Sequence, residues 1–171
     1  MRLELGDWCV RSFTAADADA VARYANNRNI SINLRDRFPY PYTRADADAF
    51  LDAAWSQQPQ SDFAIASRSE AIGGIGYHRQ SDVHRLTAEI GYWLGEPFWG
   101  RGIATLAVRA LSERIFATTS LVRLYAHVFE WNPASARVLE KAGYRLEGRL
   151  HRSVIKDGRV IDQFIYARLR D

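Results

Sequence analysis

Apolar positions recur along this chain in two rhythms. Trp8–Phe13, a short run of Trp, Cys, Val and Phe, predicts a strand. From Thr14 the period lengthens. Ala18, Val21, Ala22 and Ala25 share a helical face as far as about Asn26, and Ala47, Phe50, Leu51 and Ala54 do so between Thr43 and about Trp55. Ser61–Ser67 and Ile72–Arg79 predict a hairpin around Arg68–Ala71, and Leu86–Leu94 predicts a further strand. Ile103, Leu106, Ala107, Ala110, Leu111 and Ile115 form the most regular stripe, a helix over Gly102–Ala117. Leu121–Phe129 is rich in β-formers. Asn132–Ala142 predicts a helix with an Asn cap, Pro133 in its first turn and Gly143 at its stop. Tyr144–Ile155 and Arg159–Leu169 flank Lys156-Asp157-Gly158, a hairpin turn signal. The order β-α-α-β-β-β-α-β-α-β-β belongs to an α/β chain with a mixed sheet, not a doubly wound one. No linker or composition break divides residues 1–171, so one domain is expected.

Composition narrows the function classes. At 171 residues and 47% hydrophobic, the chain can bury a core without disulfides or metals. The net charge of +3, from 23 basic and 20 acidic residues, is too small and too mixed for a disordered tail or a nucleic-acid coat. Lys141 and Lys156 are the only lysines; the other basic residues are arginines, whose forked guanidinium suits phosphate and carboxylate. Cys9 stands alone, which excludes a disulfide framework and reads as a small buried residue. The longest stretch free of Asp, Glu, Lys and Arg is Ala53–Ser61, nine residues, too short to span a bilayer. Met1–Asp7 lacks an apolar signal core, so a cytoplasmic location away from membranes is expected.

Two patterns suggest chemistry and then fail a geometric test. Thr14-Ala-Ala-Asp17-Ala-Asp19 recurs as Thr43-Arg-Ala-Asp46-Ala-Asp48. As carboxylate pairs these could hold a metal, but residues two apart on a helix point to nearly opposite sides. They read instead as helix caps, with Thr at the N-cap and Asp at the positive end of the dipole. His78, His84, His127 and His151 lack metal-ligand spacing and read as surface or sheet residues, so no metal is expected.

Glu89–Ala104 is the informative stretch: a strand, a turn rich in Gly and Pro, and a helix start where Gly100 and Gly102 bracket Arg101. Glycines there let a ligand approach the backbone, and the free N–H groups of a first helical turn attract an anion. The Walker pattern and the Gly-x-Gly-x-x-Gly fingerprint are both absent. A tight turn that merely needs small residues would look the same. Glu130-Trp-Asn132-Pro-Ala-Ser135 then opens the next helix.

Taken together, the strand Glu89–Leu94, the turn Trp99–Ala104 and the Asn132-x-x-Ser135 helix resemble the GNAT acyltransferase superfamily, in particular its ribosomal-protein N-terminal acetyltransferases. Of the superfamily's pattern (Gln or Arg, two residues, Gly, one residue, Gly or Ala), Gly102 and Ala104 match, while Trp99 holds the first position. The resemblance implies a mostly antiparallel twisted sheet splayed between its fourth and fifth strands, with acetyl-CoA in the gap. Its pantetheine would pair with Tyr92, Trp93 and Leu94, its pyrophosphate would lie on Trp99, Gly100, Arg101, Gly102, Ile103 and Ala104, and Asn132 and Ser135 would line its arm. Glu89 is the expected general base, with its pKa moved toward neutral by burial, or else it only orders the sheet. Many relatives carry a tyrosine seven residues after the motif asparagine. That position is Leu139 here, so Ser135 is the expected proton donor to the leaving thiolate, with Tyr92 and Tyr166 behind it; a Ser135 that only satisfies helix N–H groups is the alternative. Phe38, Tyr40 and Tyr42, in a loop restrained by Pro39 and Pro41, either wall the acceptor pocket or pin the loop to the sheet. The stretch Arg149–Lys156, where ribosomal relatives can carry a glutamate base, has no acidic residue.

The expected activity is acetyl-CoA-dependent N-acetylation of a primary amine, with a peptide N-terminus slightly ahead of a small amine such as an antibiotic, polyamine or amino acid. A catalytically silent acyl-CoA-binding module and an arginine-rich RNA binder are the rivals from other classes. No RNA-binding motif is present, so no nucleic-acid partner is expected. A monomer and a homodimer both fit.

Overall fold

The computed structural model describes residues 1–170; Asp171 lies outside them. The strands are β1 (Arg2–Leu5), β2 (Trp8–Arg11), β3 (Asp62–Ala66), β4 (Ala71–Arg79), β5 (Thr87–Leu94), β6 (Arg123–Phe129), β7 (Arg145–Lys156) and β8 (Arg159–Leu169), and the helices are α1 (Ala18–Ala25), α2 (Arg28–Ser31), α3 (Arg44–Ser56), α4 (Ile103–Thr118) and α5 (Pro133–Lys141). The strands form one sheet in the order β1-β2-β3-β4-β5-β6-β8-β7. Every neighbouring pair is antiparallel except β5 and β6. Among the described residues, no helix is long and apolar enough to cross a membrane.

The period-2 strands bury alternate side chains in two cores. Ile75, Ile90 and Leu124 face α4 and α5 on one side, packed around Ile103, Leu111 and Leu139. On the other side Ala64 and Ala66 face α1 and α3, packed around Val21, Leu51 and Tyr42. The caps read from sequence form as expected. Thr43 and Asp46 make a reciprocal capping box, and Asn132 accepts the Ser135 N–H at 3.2 Å. Asp157 and Gly158 both take positive φ at the β7–β8 turn, as a tight hairpin requires. Two elements differ from the sequence reading: β1, whose four residues alternate charge and leucine, and α2, a single polar turn capped by Asn27.

Asp17 ties the α1 side of the sheet together. Its carboxylate accepts both Arg11 Nη groups at 2.7 Å, the Thr14 N–H at 2.8 Å and hydroxyl at 2.9 Å, and the Ala71 N–H at 3.0 Å. One side chain thus joins β2, the start of α1 and β4. Burial would raise this carboxyl, but the bonds from Arg11 and Thr14 outweigh it and hold the pKa at about 2. A depressed pKa means stability that is present above the unfolded value near 3.8 and lost as pH falls toward about 2. That loss is roughly 2 kcal/mol, and chemical denaturation should show it as a fall in stability between pH 5 and pH 2. Asp17→Asn should cost on the order of 3 kcal/mol at pH 7 and remove this part of the acid dependence, because it leaves the half-buried Arg11 without its carboxylate. An unchanged midpoint would show that Arg11 finds another partner.

Candidate active site

β5 and β6 pair only at Thr87–Arg123, Ala88–Leu124 and Glu89–Tyr125, and beyond that register they diverge. Backbone groups along β5 alternate in direction. Thr87 O accepts from Gln80 N at 3.0 Å and Gly95 N donates to Ile72 O at 2.8 Å, so odd positions serve β4. Leu86 O accepts from Val122 N at 2.9 Å, so even positions face β6. The backbones of Ile90, Tyr92 and Leu94 therefore point into the opening. Trp99 Nε1 donates to Leu94 O at 2.7 Å, which leaves the Tyr92 groups and the Leu94 N–H there. Trp93, expected to pair alongside Tyr92 and Leu94, instead gives its backbone to β4 and sends its ring to the α3 face against Phe38, 5.8 Å between centroids. A cleft of about 1290 Å³ runs through the opening from one face of the sheet to the other.

On the α4 side the cleft meets the helix mouth. Gly100 and Gly102 both adopt φ +76°, a conformation other residues resist, and a Cβ on either would meet nothing within 4 Å. Gly102 caps α4 without a side-chain hydrogen bond, and no acidic residue occupies the first turn. The first N–H groups of α4 and its positive end thus face open space, a setting that suits an anion. Gly100, Gly102, Ile103, Ala104 and Trp99 line the cleft, and α5 adds Arg137 and Lys141. Arg101 turns away, its guanidinium 5.8 Å from the centre of the Phe98 ring. The hydroxyls of Tyr92 and Ser135 meet at 2.8 Å on the cleft wall. Because Asn132 already takes the Ser135 N–H, the Ser135 hydroxyl does not serve the helix end. Burial pushes the Tyr92 phenol up, so it stays protonated and can donate. Leu139 is buried in the core, and the Tyr166 hydroxyl turns to Glu140 at 3.4 Å.

At the fork of the strands stands Glu89. Its Oε1 lies 3.0 Å from His127 Nδ1 and 2.5 Å from Arg35 Nη2. Burial raises its carboxyl, but the hydrogen bonds from His127 and Arg35 and their charges outweigh it, so the pKa falls below the ordinary carboxylate value. This corrects the expectation that burial moves Glu89 toward neutral: it is held ionised. An ionised carboxylate only accepts, so Nδ1 of His127 carries a proton and donates to it, and in a neutral ring of that tautomer Nε2 is the lone-pair acceptor. Sequence reasoning missed His127 because its partner comes from the parallel neighbour strand. The signal lay in the register, since Tyr125 sits opposite Glu89 and His127 is two residues further on the same face. In the loop between α2 and α3, Phe38 and Tyr42 line the cleft while packing on each other at 4.9 Å, so they both wall the cleft and pin the loop. Tyr40 does neither. It is exposed outside the cleft, with Arg28 over its ring at 5.7 Å.

Comparisons with known proteins agree with this geometry. Residues 8–145 match the acetyltransferase (GNAT) domain. The ribosomal-protein-serine acetyltransferase of Escherichia coli strain K12 is 35% identical over 109 residues, 64% of this chain and 60% of that protein. An uncharacterised N-acetyltransferase of Bacillus subtilis strain 168, YoaA, is 36% identical over 98 residues, 57% of this chain and 55% of that one. The matched stretches thus span a little over half of these curated relatives. Among solved structures, RimL, a ribosomal L7/L12 α-N-protein acetyltransferase in complex with coenzyme A, superposes with a TM-score of 0.87 at 20% identity, covering 99% of this chain and 98% of that one. With the domain match spanning most of its length, and with a sheet that forks above an uncapped helix mouth, the chain belongs to the GNAT acetyltransferase family.

Proposed function

We propose that this protein is an acetyl-CoA-dependent N-acetyltransferase that acetylates a primary amine, on a peptide N-terminus or a small molecule, by direct attack in a ternary complex. One observation carries this reading. A single opening in the sheet joins a helix mouth free of side-chain caps to an ionised Glu89 that holds His127. The residues present fit the cofactor. Open space at Gly100 and Gly102 accommodates a pyrophosphate, Arg137 and Lys141 supply positive charge, and the unpaired edge of β5 matches an amide-bearing pantetheine chain. Bound acetyl-CoA supplies a thioester carbonyl open to an amine and a thiolate that can leave.

The chain's own groups then divide the work. The N–H groups opening α4 hold the phosphates, Tyr92 and Leu94 offer backbone partners, and Asn132 and Ser135 line the arm. Nε2 of His127 takes the proton of the acceptor ammonium, and the Glu89 carboxylate fixes the ring and stabilises the imidazolium that forms. A backbone N–H of β5 facing the opening steadies charge on the acetyl oxygen. The Tyr92–Ser135 hydroxyl pair offers a hydrogen bond to the departing thiolate, which leaves without taking a proton from it.

A thiol-release screen with acetyl-CoA against N-terminal peptides, polyamines and amino acids tests the reading. Amine-dependent release supports it; tight CoA binding without release with any amine would leave a silent binding module. Gly102→Asp adds bulk and negative charge at the helix mouth and should abolish CoA binding by calorimetry. The stabilisation by CoA, about 2.7 kcal/mol at a hundredfold excess over Kd, should vanish with it. Glu89→Gln and His127→Gln should each lower kcat by roughly 10²-fold or more. The double variant should be little worse than the poorer single one, because the two groups act as a unit. Ser135→Ala should cost less, since a thiolate is already a fair leaving group near neutral pH. Full turnover in His127→Gln with an unchanged pH profile would remove that residue from the mechanism.

A further inference from the structure

On the α3 face of the sheet the cleft floor is bare. Asp62, Gly76 and Gly91 lie abreast in register across β3, β4 and β5. A Cβ on Gly91 would meet nothing within 4 Å, whereas one on Gly76 would strike Asp62 Oδ1 at 2.1 Å. The Asp62 carboxylate therefore reaches out over Gly76 along the floor. Gly74 has the same relation to Trp93, whose Nε1 a Cβ there would approach to 2.6 Å, so the indole covers that glycine. All of these residues line the cleft that also holds Glu89 and His127. Of these three glycines, Gly76 and Gly74 are covered by Asp62 and Trp93, and Gly91 leaves a space that no side chain fills.

The charges on this floor are unevenly committed. Asp62 Oδ2 accepts from Gln57 Nε2 at 2.6 Å, and Oδ1 has no hydrogen-bond partner among the described residues. The nearby cations are engaged, Arg35 by Glu89 and Arg37 by His78 at 3.2 Å. An open carboxylate oxygen in a cleft also lined by the Trp93 and Phe38 rings is a combination that attracts an organic cation.

We propose that Asp62 anchors a second acceptor subsite for a positively charged group, so that the preferred acceptor is a dication: the primary amine to be acetylated plus a second ammonium or guanidinium. This rests on the acetyltransferase reading of the same cleft. Two strand spacings, about 10 Å, separate the Asp62 and Gly91 backbones; the Asp62 carboxylate covers part of that by lying over Gly76, and Glu89 stands two residues along β5 from Gly91, which sets the two nitrogens roughly 6–10 Å apart. An alkane diamine has that span, and so does a peptide whose second residue is basic. The shared chemistry is the second cation.

The test compares kcat/KM within matched pairs: 1,5-diaminopentane against 1-aminopentane, and seryl-lysine amide against seryl-norleucine amide. The expected result is a preference of about tenfold or more for the dication in at least one pair, expressed mainly in KM. The pair that shows it identifies the source. Asp62→Asn, which keeps the shape and a partner for Gln57, should bring the ratio close to one. Gly91→Ala, whose methyl enters open space on the floor, should raise KM for the dication. A ratio near one in both pairs for the wild type, or a ratio that survives Asp62→Asn, overturns the proposal. Calorimetry on the CoA-bound enzyme with the same ligands reads the subsite without turnover, and equal binding of diamine and monoamine overturns it there too. Failure of the acetyltransferase reading would show itself separately, as absence of CoA binding or of thiol release with every amine.

Discussion

The functional architecture depends on a pairing that stops. β5 and β6 are the only parallel neighbours in the sheet, and they share only three residue pairs. Past Glu89 and Tyr125, backbone N–H and C=O groups that a sheet would normally satisfy are left facing a gap. Such an edge is a template for another extended, amide-bearing chain. Trp99 answers one of these groups by donating to the Leu94 carbonyl, which limits how far along β5 an incoming chain can pair. The same divergence makes the cleft continuous through the sheet, so a donor bound on the α4 side and an acceptor bound on the α3 side can meet at the fork.

Electrostatics at the fork follow from this placement. Glu89 is buried enough for desolvation to raise its carboxyl, yet His127 from β6 and Arg35 from the loop between α2 and α3 bring it down. In the proposed reaction the carboxylate orients and stabilises rather than accepting the proton itself, and an imidazole is the group fitted to take and release one near neutral pH. Arg35 makes the arrangement depend on the loop. That loop is held in turn by Lys156, whose Nζ meets Asp36 at 2.7 Å, while α2, just before it in the chain, is tied to the same hairpin by the ion pair of Arg28 with Asp157. The β7–β8 hairpin, remote in sequence, therefore braces the loop that walls this side of the cleft.

Local signals in the chain specified much of this. The stripe from Ile103 to Ile115, the Asn132 cap followed by Pro133, the paired Thr and Asp caps and the Asp157-Gly158 turn each encode their element within a few residues, and all of them form. β1 and α2 escaped because four residues of alternating charge or a single polar turn carry no periodicity to read. The site divides along the same line. The glycines of the helix mouth are needed for a local backbone conformation, so they were legible. The state of Glu89 was not, because its partners lie 38 and 54 residues away in the chain and reverse the effect of burial. Sequence treats Tyr40 like Phe38 and Tyr42 because one loop carries all three, while that loop is also held by a contact 120 residues distant in the chain.

A crystal structure of the protein with coenzyme A tests the central claim most directly. The expected result is the pantetheine lying between β5 and β6, hydrogen-bonded to the backbone of Tyr92 and Leu94, with the pyrophosphate on the N–H groups that open α4 and the thiol end beside Glu89, His127 and the Tyr92–Ser135 hydroxyls. Coenzyme A bound elsewhere on the surface, or strands β5 and β6 zipped together past Glu89 with the cleft closed, would contradict it.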